Sequence, residues 1–150
     1  MSICVDASLV LKWLTYEPGS DEALVWLNMH ASDEIIAPSF LSLEVASVLR
    51  QKTRRAEMTS EESLEALHLL DKLKIRFMWD WTLLERALEL AIELDQSTAY
   101  DTAYLALAER EECELWTADA CFARAASPRY PIVRLLTPHP LSCDSIGWPQ

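Results

Sequence analysis

Short runs of apolar residues alternate with longer stretches of helical periodicity along the whole chain. Ile3-Cys4-Val5 is a short apolar strand, and Ala7 to about Tyr16 has helical spacing. Glu17-Pro18-Gly19-Ser20 interrupts that helix, and periodicity resumes from Asp21 to about His30. Glu34-Ile35-Ile36-Ala37 reads as a second strand stopped by Pro38. Phe40 to Arg55 is a helix with Leu41, Val45, Val48 and Leu49 on one side, and a further helix runs from Ser60 to Leu73. Thr59-Ser60-Glu61-Glu62 suits the start of the latter: a hydroxyl followed by early acids. Ile75–Trp79 is a third strand, followed by helices over Thr82–Leu94 and Thr98–Arg110. Leu115-Trp116-Thr117 forms a fourth strand, Cys121–Ala126 a short helix and Ile132–Leu135 a fifth strand; beyond Pro138 no pattern is legible.

Short apolar strands separated by helices predict a parallel sheet covered on both faces. The expected fold is thus α/β, one three-layer α/β/α domain over residues 1–150 with about five strands and a core spanning about 3–135. In such sheets the working site lies at the carboxyl ends of the strands.

Two acids follow strands directly: Asp6 after Val5, and Asp119 one residue beyond Thr117. An Asp between strand and helix is also a favoured N-cap, and either role suits each. Glu44 shares the stripe of Phe40, Leu41 and Val48, where a carboxylate is costly unless it is paired, neutral or metal-bound. Its alternative is a rim position reaching water. Asp101 can complete a capping pattern opened by Thr98, yet Leu105 and Ala108 on its stripe are apolar. All four can converge above one sheet edge, because helix starts follow strand ends in right-handed crossovers. Hard divalent cations are the natural remedy for the repulsion of four carboxylates.

Composition qualifies this picture. The formal net charge of −11, with 13 basic and 24 acidic residues, is unusual for a nucleic-acid binder. Metal ions and a local basic patch can still supply the positive field. Arg50, Lys52, Arg54 and Arg55 form such a cluster, available to RNA or a protein partner, although cations late in a helix also complement its dipole. The cysteines at 4, 113, 121 and 143 form no CxxC pair, so a disulfide framework or zinc site is not expected; Cys4 and Cys113 read as core residues. No apolar run spans a membrane and no signal peptide precedes the first strand, which points to the cytoplasm. Trp13, Trp26, Trp79 and Trp116 fit core or half-buried positions, Trp81 and Trp148 the surface.

Four segments in order, Val5-Asp6-Ala7-Ser8, Leu43-Glu44-Val45, Tyr100-Asp101-Thr102-Ala103-Tyr104-Leu105-Ala106-Leu107-Ala108 and Trp116-Thr117-Ala118-Asp119, resemble the motifs of PIN domains. The likeness is strongest to the VapC-like toxins of bacterial toxin–antitoxin pairs. It implies a magnesium- or manganese-dependent endoribonuclease, with Asp6, Glu44, Asp101 and Asp119 as its catalytic acids. Asp6, Asp101 and Asp119 would hold the metal, and Ser8 and Thr117 would line the pocket as hydroxyls. It further implies an RNA substrate, an antitoxin partner and a homodimer.

Other readings start from the same strand and lack its partners. A haloacid dehalogenase-like phosphotransferase needs a second Asp where Ser8 stands, and a receiver domain needs an acidic pair and a late lysine. A non-catalytic interaction module on the PIN fold is the alternative that the acidic charge favours and the complete acidic set disfavours.

Overall fold

The computed structural model describes residues 1–137; the tail from Pro138, with Cys143 and Trp148, lies outside the described residues. Five strands form one sheet: β1 (Ser2–Val5), β2 (Glu34–Pro38), β3 (Arg76–Met78), β4 (Leu115–Thr117) and β5 (Val133–Leu135). Their spatial order is β3-β2-β1-β4-β5 and every pairing is parallel. Seven helices connect them among the described residues: α1 (Ala7–Leu14), α2 (Ser20–Met29), α3 (Leu41–Arg54), α4 (Ser60–Lys72), α5 (Trp81–Glu93), α6 (Tyr100–Arg110) and α7 (Ala120–Ala126).

The strand order dictates the layers. The chain steps outward from β1 through β2 to β3, then returns to the other side of β1 for β4 and β5. Right-handed crossovers therefore put α1 to α4 on one face and α5 to α7 on the other. The packing agrees: α1 contacts α2, α3 and α4, whereas α6 lies across β1, β2 and β4 with α5 against it. The reversal between β1 and β4 is the topological switch point, where a crevice opens above the carboxyl ends.

The core follows from burial on both faces of the sheet. Cys4 and Val5 are fully buried, as are Ile36, Ala37 and Leu115 in the flanking strands. From the helix side come Leu9, Val10, Leu41, Val45, Leu105 and Leu107. Trp13 and Trp26 stack at 5.8 Å within it, with Trp116 tilted against Trp26 at 5.6 Å.

Two boundaries differ from expectation. Pro38 does not stop β2 but is its last residue, opposite Met78. It lies beyond the final β1–β2 pair, Cys4 and Ile36, so its missing N–H leaves that ladder intact. Thr98 does not cap α6; the cap is Ala99, without a side-chain hydrogen bond. Helix ends are also closed without glycine. Ala56, Asp95 and Glu112 adopt φ of 57°, 52° and 51° just past α3, α5 and α6. In each case the next N–H returns to the preceding turn, as from Glu57 to the Lys52 carbonyl, the pattern of a Schellman motif. At α4, by contrast, the expected start is met in full, since Thr59 and Glu62 form a reciprocal capping box.

Candidate active site

Asp6 leaves β1 at the switch point and is 4 % exposed. It is an N-cap, as its position suggested: its Oδ1 accepts from the Leu9 amide at 3.1 Å. The same Oδ1 accepts from the Ser8 hydroxyl at 2.7 Å, and Oδ2 accepts from the Thr117 hydroxyl. Thr117 ends β4, 111 positions away, so the β1–β4 pairing is what assembles this contact. Ser8 Oγ also accepts from the Ala118 amide at 2.9 Å, and Thr117 Oγ1 from the Asp119 amide at 3.0 Å. The two hydroxyls predicted to line the pocket thus tie the turn after β1 to the turn after β4.

Asp119 caps α7 through Oδ1, which accepts from the Phe122 amide at 3.1 Å. For both aspartates the capping role and the pocket role coexist, because a carboxylate has lone pairs for each. Asp101 stands in the first turn of α6 and is half-buried. The capping reading does not hold for it, since its side chain accepts no hydrogen bond among the described residues. Glu44, in the first turn of α3, is half-buried and its Oε2 accepts from the Tyr104 hydroxyl at 3.0 Å.

These acids feel one another. Burial above all, and then the charges of Asp6, Asp119 and Glu44, lift the Asp101 carboxyl to about 7. Glu44 is likewise pushed up to about 7, mainly by burial and also by Asp6, against the opposing Tyr104 hydrogen bond. Asp6 is raised to about 6 by burial, while the bonds from Thr117, Ser8 and Leu9 pull it down. Among the described residues no basic side chain contributes to any of the three. The sheet edge therefore gathers carboxyls that burial and one another hold above their ordinary range, with no basic side chain of the described residues to offset it.

That donor set suits a hard divalent cation. All candidate ligands are oxygens, and half-buried carboxylates stay ionised at neutral pH when a cation joins them. Among the described residues no three acids, imidazoles or thiols stand together closely enough to hold a metal ion by themselves. Magnesium commonly binds through one or two carboxylates, waters and substrate phosphate rather than a cage of protein ligands alone.

The basic cluster is not part of this pocket. Arg50 to Arg55 lie about 9 to 16 Å further along α3 than Glu44, at 1.5 Å per residue. Lys52 is committed within the fold, to Glu17 at 3.2 Å and Glu57 at 3.7 Å. Arg50, Arg54 and Arg55 are exposed. Tyr104, within the third motif, is buried, and a buried tyrosine hydroxyl ordinarily needs a partner; here that partner is Glu44. The ring of Phe40 stands beside Tyr104 at 5.4 Å, and Trp79 and Tyr100 in turn stand 5.2 Å and 6.1 Å from Phe40.

With the parallel sheet, its switch point and the ordered acids in place, the family is clear: the chain belongs to the PIN domain family, which matches residues 3–128. Ribonuclease VapC9 of Mycobacterium tuberculosis is 31 % identical over 130 residues, covering 87 % of this chain and 95 % of the relative. A VapC ribonuclease of Mycobacterium bovis matches to the same extent. Among solved structures, the VapBC2 complex of Rickettsia felis bound to a DNA fragment from its promoter shares the fold. Its TM-score is 0.64 at 17 % identity, over 90 % of this chain and 97 % of that one.

Proposed function

We propose that the chain is a metal-dependent endoribonuclease, the toxin of a toxin–antitoxin pair. The observation that carries the reading is the uncompensated cluster of carboxyls at the switch point, raised by burial and by one another, with no basic group among the described residues answering them. The ribonuclease names of its relatives support the same activity.

Asp6, Asp101 and Asp119 are assigned to hold Mg²⁺ or Mn²⁺. When bound, the cation supplies positive charge to the scissile phosphodiester and lowers the pKa of a water beside it. The protein's own part is positioning and proton transfer. Ser8 and Thr117 fix both oxygens of Asp6, so its carboxylate cannot turn away. Glu44 Oε1, the oxygen that Tyr104 leaves unengaged, accepts the proton of the attacking water. A carboxyl lifted to about 7 is well matched to proton transfer near neutrality. The water oxygen attacks phosphorus in line with the leaving 3′ oxygen, giving a 5′-phosphate and a 3′-hydroxyl. Unpaired RNA suits an open pocket whose substrate must bring its backbone down to the acids.

The reading is tested with purified Asp6→Asn and Asp101→Asn proteins incubated with RNA and Mg²⁺. Cleavage at full rate by both would trace the activity to something other than these acids, such as a co-purifying nuclease, and the non-catalytic interaction module would then stand. In that case Mn²⁺ should also fail to raise the melting temperature.

The reading extends to partners and place. An antitoxin protein is the expected neutralising partner, and the cytoplasm, where RNA is met, is the expected compartment; among the described residues no helix is long and apolar enough to cross a membrane. Exposed Arg50, Arg54 and Arg55 are assigned to RNA backbone or partner contact. A homodimer is supported by α5, where Trp81, Leu84, Leu88 and Ile92 form one exposed apolar stripe, 42 % to 73 % accessible. Leu88→Glu with Ile92→Glu should halve the mass measured by light scattering; an unchanged mass would remove that face as the interface.

A further inference from the structure

The acids account for the charge of the pocket but not for how Glu44 is kept in it. A glutamate side chain has three torsions, and this one starts from the first turn of α3 with the charge of Asp6 nearby raising its pKa. Left alone, a half-buried glutamate repelled from inside turns toward water. One hydrogen bond opposes that. Among the described residues, the Tyr104 hydroxyl is the only group that donates to the Glu44 carboxylate, at 3.0 Å.

Tyr104 has the attributes of a fixed donor. Its side chain is 1 % exposed and its backbone carbonyl accepts from the Cys4 thiol of β1 at 3.6 Å, which seats it against the sheet. It lies three residues after Asp101 on α6, so both project from one side of that helix. Its ring meets Phe40 edge-on, at 5.4 Å and 72°. Phe40 caps α3 and stands one turn before Glu44, on the same side. A single residue therefore grips the start of α3 twice, by its ring at Phe40 and by its hydroxyl at Glu44.

We propose that Tyr104 is the positioning residue of this site, aiming Glu44 at the substrate water while Asp101 on the same helix contributes its own carboxylate. The proposal rests on the nuclease reading. Under it, α6 places one acid and steers a second that belongs to another element. Binding Oε2 also leaves Oε1 as the oxygen that works.

Tyr104→Phe isolates the hydroxyl, because the ring that packs on Phe40 remains. Turnover of RNA should fall about tenfold, with KM unchanged within about twofold. In an E44A background the same change should cost nothing further, as expected of a group acting through Glu44. Glu44→Asp, which withdraws the carboxylate by one carbon and leaves Tyr104 untouched, should lose a comparable amount. An independent readout is the ¹³C carboxyl resonance of Glu44 in metal-free protein, assigned by its disappearance in E44A. It should move toward the position of exposed glutamates in Tyr104→Phe.

Wild-type turnover and an unmoved resonance in Tyr104→Phe would overturn the proposal, as would an equal loss in the E44A background. If E44A itself cleaves at full rate, the role given to Glu44 fails and the proposal fails with it. If E44A is impaired and Tyr104→Phe is not, only the role of Tyr104 is lost.

Discussion

Two regions of this molecule bury charge, and they do so in opposite ways. Behind the α1–α2 turn, Glu17 is 9 % exposed and meets Lys12 at 3.4 Å and Lys52 at 3.2 Å. Lys12 also donates to the Pro18 carbonyl at 2.6 Å, and Ser20 Oγ accepts from the Glu17 amide at 2.9 Å. Every charge there has an opposite within reach. At the carboxyl edge of the sheet, Asp6, Glu44 and Asp101 are raised above the ordinary carboxylate range by burial and by neighbouring acids, with no cation to offset it. The first arrangement holds a turn in place. The second costs stability in the isolated protein, and such a cost is expected where a fold waits for a ligand.

The largest expected effects come from substitution on the acidic side. Asp101→Asn should lower cleavage by at least about a hundredfold while raising the melting temperature of metal-free protein. A fall in both would mean that Asp101 supports the fold rather than the chemistry. On the paired side the signs reverse. Lys12→Met leaves a buried Glu17 with one partner fewer and should destabilise by about 3 kcal/mol. Cleavage per folded molecule should stay within about twofold; a catalytic defect without a stability defect would erase the distinction between the two regions.

A smaller effect tests the supports of Asp6. Thr117→Val removes one hydroxyl and should weaken Mn²⁺ binding about tenfold, measured by calorimetry. Unaltered affinity would make Thr117 a finishing residue of β4 and nothing more.

The smallest effect is in pH dependence. The folded-state values of Asp6, Glu44 and Asp101, about 6, 7 and 7, lie above the ordinary 3.8, 4.5 and 3.8. The folded protein therefore binds these protons more tightly than the unfolded chain. Their stabilising contribution is complete below about pH 4 and is lost as pH rises through 6 to 7. Between pH 5 and 8 the metal-free wild type should lose more stability than Asp101→Asn, and Mn²⁺ should close the gap at pH 8. Parallel melting curves for the two proteins across that range would count against a strained pocket.

Much of this was legible in the chain because the signals were local. The alternation of apolar runs and helical stretches marks each element, and Asp6 and Asp119 follow strand residues directly. What escaped was long-range or backbone-borne. Pro38 looked like a stop because a linear reading does not show which partner strand still needs an N–H at that position. Thr98 looked like a cap because hydroxyls usually are, yet α6 begins after Ala99. The Arg50 to Arg55 cluster looked like one surface until Glu17 claimed Lys52. Tyr104 carried no legible role, since its partner lies 60 positions away on another helix.

The seam between β1 and β4 has a consequence for how such a chain is born. Asp6 is synthesised 111 positions before Thr117, which ends the strand that completes its surroundings. Until Thr117 reaches Asp6, a growing polypeptide has the opening half of a scissor with no opposing blade. The candidate site therefore stays incomplete on the growing chain until β4 has been made and has paired with β1.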